Sequence, residues 1–222
     1  DKYPQNIIYL EQENAGQAAA RNNALKYIRG KYVNFIDSDD FFRRKALFVD
    51  EENRFFDDND SRILFYAKGV IETVRKLGWT PDIIHCHSWI SGLVPIFIKT
   101  AYKDNPHFQN TRIVTSLYND HFEDAFSPSF GKKLNITGIP ESAIKHFENP
   151  NYDTIAKTAI DFSDAVVIGH PEVKDSIISY LDNQNIPILR HPETPNYQEY
   201  VEVYDAFYDS LMEKEPISFD FV

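Results

Sequence analysis

The sequence predicts an α/β protein: a Rossmann-like, doubly wound, mostly parallel sheet with helices on both faces. Short apolar runs with strand character alternate along the chain with longer segments of helical periodicity. That alternation is typical of parallel sheets whose crossover connections are helices. Hydrophobic residues make up 42% of the 222 residues, enough for a sizeable core. Because no linker or low-complexity stretch interrupts the pattern, we predict one continuous globular domain.

The first predicted unit is a βαβ unit over residues 6–37. Residues 6–11 form a short apolar strand, and an Ala- and Leu-rich helix opens at Gly16 and stops at Gly30. Residues 32–37 form the second strand, which ends at Asp37. A parallel pair of strands joined by one helix follows from this order.

The remaining elements continue the alternation. A helix is predicted up to about residue 77, where the segment 78–81, with one glycine and one proline, breaks it. Further strands are predicted at 82–87, 112–117, 165–169 and 186–189, and further helices at 89–102, 141–147, 152–162, 172–181 and 197–212.

Composition restricts the classes of partner and compartment. A formal net charge of −11 argues against nucleic acid and anionic membrane surfaces, since both require clustered Lys and Arg. The single cysteine, Cys86, excludes an internal disulfide and favours a reducing, cytoplasmic compartment. We see no signal peptide, and the most apolar run, 89–98, is about half of a membrane span. The chain begins without methionine, which indicates a fragment, and its oligomeric state stays open.

Three acidic residues follow the strand at 32–37: Asp37, Asp39 and Asp40. Ligands of parallel sheets lie beyond the carboxyl ends of the strands. Crowded carboxylates are unfavourable unless a cation or hydrogen-bond donors compensate them, and Mg²⁺ or Mn²⁺ with a diphosphate would do so. The alternative for such a cluster is a solvated turn.

The segment 6–40 resembles the nucleotide-sugar and metal segment of family 2 glycosyltransferases. Five elements occur in the family's order: Asn14-Ala-Gly16, Ala20-Arg21-Asn22, Gly30-Lys31-Tyr32, Phe35-Ile-Asp37 and Asp39-Asp40. The resemblance implies that Arg21 and Asn22 lie beside the donor sugar, and that Asp37 and Asp39 hold phosphate and Mg²⁺ or Mn²⁺. It also implies a UDP-sugar donor.

Residues 32–222 resemble the N-terminal domain of glycogen and starch synthases, glycosyltransferase family 5, and most closely the short single-domain forms of the Bacteroides group. The resemblance is carried by the segments 43–47, 55–60, 81–89, 92–95 and 114–119, in that order. It implies half of a GT-B fold, glucosyl transfer from a nucleotide-glucose such as ADP-glucose to an α-1,4-glucan, and no required cofactor. The division expected is 1–40 and 41–222.

The synthase resemblance also implies site residues, although no catalytic residue is assigned. Ile90 stands where the family has a donor-binding histidine, and the family's donor loop and second domain have no counterpart in the sequence. We therefore expect a transferase that is incomplete, or inactive alone. The implied donor- or acceptor-binding residues are His85, His87, Trp89, Tyr118 and Asn119.

Several of these residues have structural alternatives. His85 and His87 have strand spacing and share a face, so they are either a metal pair or a structural feature of a strand end. Trp89 either stacks on a sugar ring or packs beneath a helix. Aromatic residues also recur at helical spacing near the end of the sequence. This stripe has two alternatives: it forms a contact with the core or with a second copy of the chain, or it binds glucan. It comprises Tyr197, Tyr200, Tyr204, Phe207 and Tyr208. A non-catalytic glucan- or partner-binding module and a metal-dependent family 2 fragment stay open beside the synthase hypothesis.

Overall fold

A computed structural model of the protein describes residues 48–52, 54–135, 139–191 and 197–212, with only the backbone of His146 and Tyr197. The chain divides into two compact units, Asp1–Arg44 and Lys45–Val222, and all described residues lie in the second. The predicted βαβ unit at 6–37 lies outside the described residues. The division into 1–40 and 41–222 stays a prediction.

The described part of the chain is built on a parallel sheet of four strands. These are β1 (Ile83–His87), β2 (Arg112–Leu117), β3 (Ala165–Ile168) and β4 (Ile188–Leu189), hydrogen-bonded in sequential order. The register pairs Cys86 with Thr115 and Val114 with Ala165. β2 and β3 are buried along their whole length, as expected for strands covered on both faces.

The helices are α1 (Asn59–Lys76), α2 (Val94–Lys99), α3 (Phe130–Asn135), α4 (Glu141–Ile144), α5 (Tyr152–Asp161), α6 (Asp175–Leu181) and α7 (Tyr197–Met212). Two 3₁₀ turns, Trp89–Ser91 and Lys145–Phe147, complete the described elements. Within these ranges, no helix combines the length and apolar character needed to cross a membrane. Helix α3 was not among the predicted elements.

The predicted helix at 89–102 is wrong in extent. The segment begins as the 3₁₀ turn Trp89–Ser91, and α2 starts only at Val94 with a proline in its first turn. Between them, Gly92 lies against α5: a Cβ built on it would come within 2.5 Å of Ile155 Cγ2 and 3.0 Å of the Trp89 carbonyl oxygen. The apolar run is therefore buried as two short pieces.

Helix α1 shows how the sequence specifies a boundary. Asp60 lies in its first turn and Arg75 and Lys76 in its last, which suits the helix dipole at both ends. The chain leaves the helix through Gly78, whose φ of +65° is a left-handed conformation that glycine adopts without strain. Its buried face recurs at helical spacing: Ile63, Ala67, Ile71 and Val74.

Helices cover both faces of the sheet, which confirms the predicted Rossmann-like α/β class. The first face, carrying Cys86, Ile113, Leu117 and Val166, packs against α1, α2, α5 and α6 in the main core. The second face packs against α7, in a smaller cluster of Ile83, Val114, Ala165, Val167 and Leu211. The helices that connect the strands thus lie on the first face, and α7, the last described helix, covers the second.

A buried ion pair joins the sheet to the first helical layer. Asp164, immediately before β3, is 4% exposed and accepts hydrogen bonds from Lys99 Nζ at 2.7 and 2.9 Å. It also accepts from the Ile113 backbone amide at 2.6 Å. One carboxylate therefore fixes the end of α2, strand β2 and the start of β3 relative to each other.

Candidate functional site

The candidate site lies on the second face of the sheet, at the carboxyl ends of β1 and β2. His85 and His87 project from this face, as their strand spacing predicts, and their rings stack with centroids 4.0 Å apart. Ser116 lies opposite His87 in the β1–β2 register. Carboxyl ends of parallel strands are where ligands of this fold class bind.

His85 is the inner of the two histidines. Its Nδ1 lies 2.6 Å from the Tyr208 hydroxyl of α7, and its Nε2 lies 2.7 Å from Ser116 Oγ. Burial, with a smaller contribution from His87, lowers the pKa of His85 to about 3. Because both ring nitrogens are engaged within the protein, His85 links α7 to the sheet rather than facing a ligand.

This arrangement predicts a pH dependence of stability. A neutral, buried His85 binds a proton less readily in the folded than in the unfolded state, so the free energy of unfolding falls as pH drops below about 6.5. Between pH 6.5 and 5.5, where few carboxylates titrate, we expect a loss of roughly 1 kcal/mol per pH unit. Urea unfolding at both pH values measures it. His85→Gln should flatten the dependence, and an unchanged slope would contradict this assignment.

His87 is the outer histidine, and its side chain is exposed at the sheet edge. Its Nδ1 lies 2.8 Å from the Tyr118 hydroxyl. Desolvation lowers the pKa of His87 and raises that of Tyr118, so the imidazole is neutral and the phenol protonated at pH 7. The pair offers uncharged hydrogen-bonding groups, which suit hydroxyls better than phosphates.

The position of the Tyr118 ring depends on Gly169, which follows β3. A Cβ built on Gly169 would come within 2.5 Å of Tyr118 Cε1. Beside Tyr118, the exposed Asn119 donates from Nδ2 to Glu172 Oε2 at 3.2 Å. The absence of a side chain at 169 therefore leaves the space that the Tyr118 ring occupies next to His87.

With this geometry established, comparison with known proteins identifies the family. The sequence model of the family described as "Starch synthase catalytic domain" matches residues 7–186, well over half of the chain. The chain belongs to the starch synthase catalytic domain family. The match begins within the segment whose motifs resemble family 2 glycosyltransferases, so it spans most of that segment too.

Among similar proteins of this family is a glycogen synthase of Chlorobium limicola, 40% identical over 118 residues, which are 53% of this chain and 24% of that protein. A glycogen synthase of Aeromonas hydrophila is 28% identical over 158 residues, covering 69% of this chain and 31% of that protein. The chain thus spans about a quarter to a third of the length of these relatives.

A solved structure shares the fold. It is the catalytic domain of starch synthase IV from Arabidopsis thaliana, bound to ADP and acarbose, with a TM-score of 0.53 and 21% identity. The alignment covers 68% of this chain and 32% of that one. At this identity the likeness concerns the fold alone, which is that of part of a GT-B enzyme.

The turn between β1 and the following 3₁₀ helix is strained. Ser88 has φ 66° and ψ 164°, a region that residues other than glycine rarely adopt. The Ser91 hydroxyl donates to the carbonyls of His87 and Ser88, at 2.7 and 3.0 Å. Strain of this kind clusters at functional sites. Here the strained residue lies between His87 of the candidate site and Trp89 of the core.

Trp89 and Cys86 point into the first-face core rather than toward the candidate site. Trp89 is 5% exposed, with its ring 4.4 Å from Phe48 and 4.9 Å from Phe122 between centroids. Trp89 therefore packs in the core, which is one of its two alternatives, the other being stacking on a sugar ring. Cys86 is buried, and burial raises the pKa of its thiol to about 12, so the thiol is unreactive at neutral pH.

The aromatic stripe of α7 packs on the second face. Tyr204, Phe207 and Tyr208 pack against its apolar cluster, and the Tyr200 and Tyr204 hydroxyls are 3.0 Å apart. Burial is the main cause of a raised pKa at Tyr204. The stripe is therefore a core contact of this chain, as one of its two alternatives predicts; the side chain of Tyr197 lies outside the described part.

Asp120, two residues beyond Tyr118, is a candidate site residue that the sequence patterns do not predict. Both of its carboxylate oxygens are shielded from solvent, and the carboxylate faces Tyr152, whose pKa it raises in addition to the larger effect of burial. Asp120 borders a cavity of about 10 Å³ that also touches Tyr118 and Tyr152, about the space of one water molecule. Its position directly after β2 is the signal that could have found it.

The remaining predicted residues come from the family 2 resemblance, two of them for the donor sugar and three for the metal. Arg21, Asn22, Asp37, Asp39 and Asp40 lie outside the described residues. Among the residues that the structure does describe, no three His, Cys, Asp or Glu side chains are grouped to hold a metal ion. The His85 and His87 rings stack on each other, and each is hydrogen-bonded to other side chains: His85 to Ser116 and Tyr208, and His87 to Tyr118.

Proposed function

We propose that the chain is the sugar-contacting half of a glucosyltransferase of the glycogen/starch synthase type. The reaction is glucosyl transfer from a nucleotide-glucose, ADP-glucose or a UDP-sugar, to an α-1,4-glucan, with no required cofactor. One observation carries the proposal: a member of this family presents the pair His87–Tyr118 at the carboxyl ends of β1 and β2. We further propose a cytoplasmic protein of the Bacteroides short form.

The chemistry of the pair favours the glucosyl part of the donor. A neutral imidazole and a protonated phenol can each both donate and accept a hydrogen bond, which matches sugar hydroxyls. Diphosphate recognition usually relies on cationic groups or amide-rich helix termini. We assign that task to a second domain, because transfer requires a donor held in one geometry between both halves.

The proposal predicts which part of the donor the chain contacts. In saturation-transfer NMR with ADP-glucose, the glucosyl protons should receive more saturation from the protein than the adenine protons. His87→Ala should weaken the contact about tenfold. Tyr118→Phe, which removes one hydrogen bond of about 1 kcal/mol, should weaken it about fivefold. Equal saturation of wild type and His87→Ala would contradict the assignment.

A second assay separates a transferase from a non-catalytic module. Labelled ADP-glucose is incubated with glycogen and the chain, and incorporation into glycogen is counted. We expect none from residues 1–222 alone, because transfer requires a donor held in one geometry between both halves of such an enzyme. Incorporation would show a complete enzyme. Sugar contact without incorporation is expected both from half of a transferase and from a glucan- or partner-binding module of synthase ancestry, so only incorporation excludes the module. Failure of both assays would rule the proposal out.

The family 2 hypothesis is retained as an alternative for the first unit, on the motifs between Asn14 and Asp40. It proposes Mg²⁺ or Mn²⁺ at Asp37, Asp39 and Asp40, with a UDP-sugar beside Arg21 and Asn22. Calorimetry with Mn²⁺ and UDP tests it. Binding that survives replacement of both Asp37 and Asp39 by alanine would sink this alternative.

A further inference from the structure

A row of five aromatic rings joins the candidate site to α7. Tyr200 and Tyr204 stack with centroids 4.8 Å apart, and the Tyr204 ring lies 6.4 Å from that of His85 at an interplanar angle of 27°. His85 stacks on His87, whose ring lies 6.1 Å from that of Tyr118. Because α7 lies beyond the end of the family match, its part in this row is not implied by that match.

His85 is held between two hydroxyl groups of different acidity. Its Nδ1 faces the Tyr208 hydroxyl at 2.6 Å, and its Nε2 faces the Ser116 hydroxyl at 2.7 Å. A neutral imidazole has one N–H and one lone pair, so one hydroxyl donates to the ring and the other accepts from it. A phenol, with a pKa of about 10, is more acidic than an aliphatic hydroxyl and is the better donor. Tyr208 accordingly donates to Nδ1, and Nε2–H donates to Ser116.

The same argument applies to His87. Its Nδ1 lies 2.8 Å from the Tyr118 hydroxyl, and the phenol is again the better donor. The hydrogen bond at one ring nitrogen determines the tautomer, so a phenol that donates to Nδ1 leaves the imidazole proton on Nε2. Within the described part of the chain Nε2 makes no hydrogen bond, so Nε2–H is the donor that His87 has for a ligand.

Ser116 connects the two histidines. Once its oxygen accepts a hydrogen bond from His85, its own proton is available to another acceptor. Tyr118 is that acceptor: burial raises the pKa of Tyr118, and the Ser116 hydroxyl, which faces the phenol, lowers it. Groups in a hydrogen-bonded chain polarise one another, so the direction of one bond favours the same direction in the next.

We infer that Tyr208 of α7 is a positioning residue, which fixes the tautomer of His87 through the groups between them. The protons of this chain of hydrogen bonds point one way, from Tyr208 to His85, Ser116, Tyr118 and finally His87. The site thereby presents a hydrogen-bond donor to an acceptor atom of its ligand. That the ligand is a sugar rests on the proposed function, whereas the tautomers rest on the hydrogen bonds alone.

Long-range proton–nitrogen NMR of the full chain at neutral pH tests the inference, because it shows which ring nitrogen carries the proton. We expect the Nε2–H tautomer at His85 and His87, assigned by the resonances lost in His85→Gln and His87→Gln. In Tyr208→Phe, Ser116 can turn its proton to His85 Nε2, so both histidines should become mixtures of tautomers. If half of the molecules lose the Nε2–H form of His87, the glucosyl contact with ADP-glucose weakens about twofold.

Two further variants separate this chain of hydrogen bonds from a general packing effect. Tyr204→Phe removes a hydroxyl one turn earlier on the same helix, where it lies 3.0 Å from the Tyr200 hydroxyl, and should leave both tautomers as in wild type. Ser116→Ala interrupts the chain beyond His85, so His85 should keep its Nε2–H form and only His87 should change. Far-UV circular dichroism checks that each variant is folded, and Ser116→Ala tests the inference even where Tyr208→Phe does not fold.

Three results would overturn the inference. The first is the Nδ1–H tautomer at either histidine in wild type, and the second is unchanged tautomers in Tyr208→Phe. The third is a change in that variant that is confined to His85. Because these readings use no sugar, the inference and the proposed function fail separately: the expected tautomers without saturation of the glucosyl protons would contradict the proposed function alone.

Discussion

Replacing Asp164 by alanine is expected to lower the free energy of unfolding by about 3–5 kcal/mol, the largest stability effect among the substitutions considered. The carboxylate is buried and accepts hydrogen bonds from Lys99 and from the Ile113 amide. Its loss removes the carboxylate that the Lys99 ammonium, 17% exposed, contacts, and leaves the buried Ile113 amide without this acceptor. The free energy of unfolding of such domains is only about 5–15 kcal/mol, so the variant should lose a large share of its stability.

Urea unfolding followed by far-UV circular dichroism measures this loss. The control is Asp182→Ala, which removes an exposed ion pair with Arg190. The side chain of Arg190 is 61% exposed and that of Asp182 is 46% exposed. A solvent-exposed pair contributes about 0–1 kcal/mol, so the control should unfold near the wild-type midpoint. Similar midpoints for both variants would mean that Asp164 does not join β2, β3 and α2 as described.

Gly169→Ala is expected to cost about 1–3 kcal/mol and to disrupt the candidate site as well. The new methyl group would lie 2.5 Å from Tyr118 Cε1, far inside van der Waals contact. Because the ring is the nearest neighbour, we expect it to move and its hydroxyl to leave His87 Nδ1. The imidazole resonances of His87 in a two-dimensional NMR spectrum should shift, together with the unfolding midpoint.

Gly69→Ala is the matched control for this prediction. Gly69 lies in the interior of α1, and a Cβ built on it meets nothing within 4 Å. Alanine is the better helix former by about 0.5–1 kcal/mol, so this variant should be more stable than wild type. If Gly169→Ala behaves like Gly69→Ala, with unchanged His87 resonances, the packing of Tyr118 against Gly169 is not as the structure shows.

Elements with a regular local pattern could be predicted from the sequence. Strand β2 and helix α7 have the predicted bounds, since the first is a continuous β-prone run and the second repeats aromatic residues at helical spacing. The helix predicted at 89–102 failed because tertiary contacts decide it: Trp89 lies in the aromatic cluster and Gly92 against Ile155. Helix α3 has too few turns to show a period, and its stability comes from burying Phe130 and Leu134.

The candidate site, too, has a part that local sequence patterns predict and a part that they do not. That His85 and His87 share a face follows from the two-residue period of a strand, and the sequence predicts it. Their partners do not follow from any local pattern: Ser116 is 31 residues from His85, and Tyr208 is 123. The contact between the rings of Phe55 and Phe126 is equally non-local, since the two residues come from distant parts of the chain.

The one-sided placement of the connecting helices has a consequence for synthesis. The ribosome delivers β1, β2, β3 and their crossovers first, and these can begin to bury the first face as they emerge. Among the described residues, α7 is the helix that covers the second face, with Ile83, Val114 and Val167, and it is the last of them to leave the exit tunnel. Until then the nascent chain carries an apolar sheet surface whose natural cover has not yet been made, so this face is where chaperones or misassembly would act first.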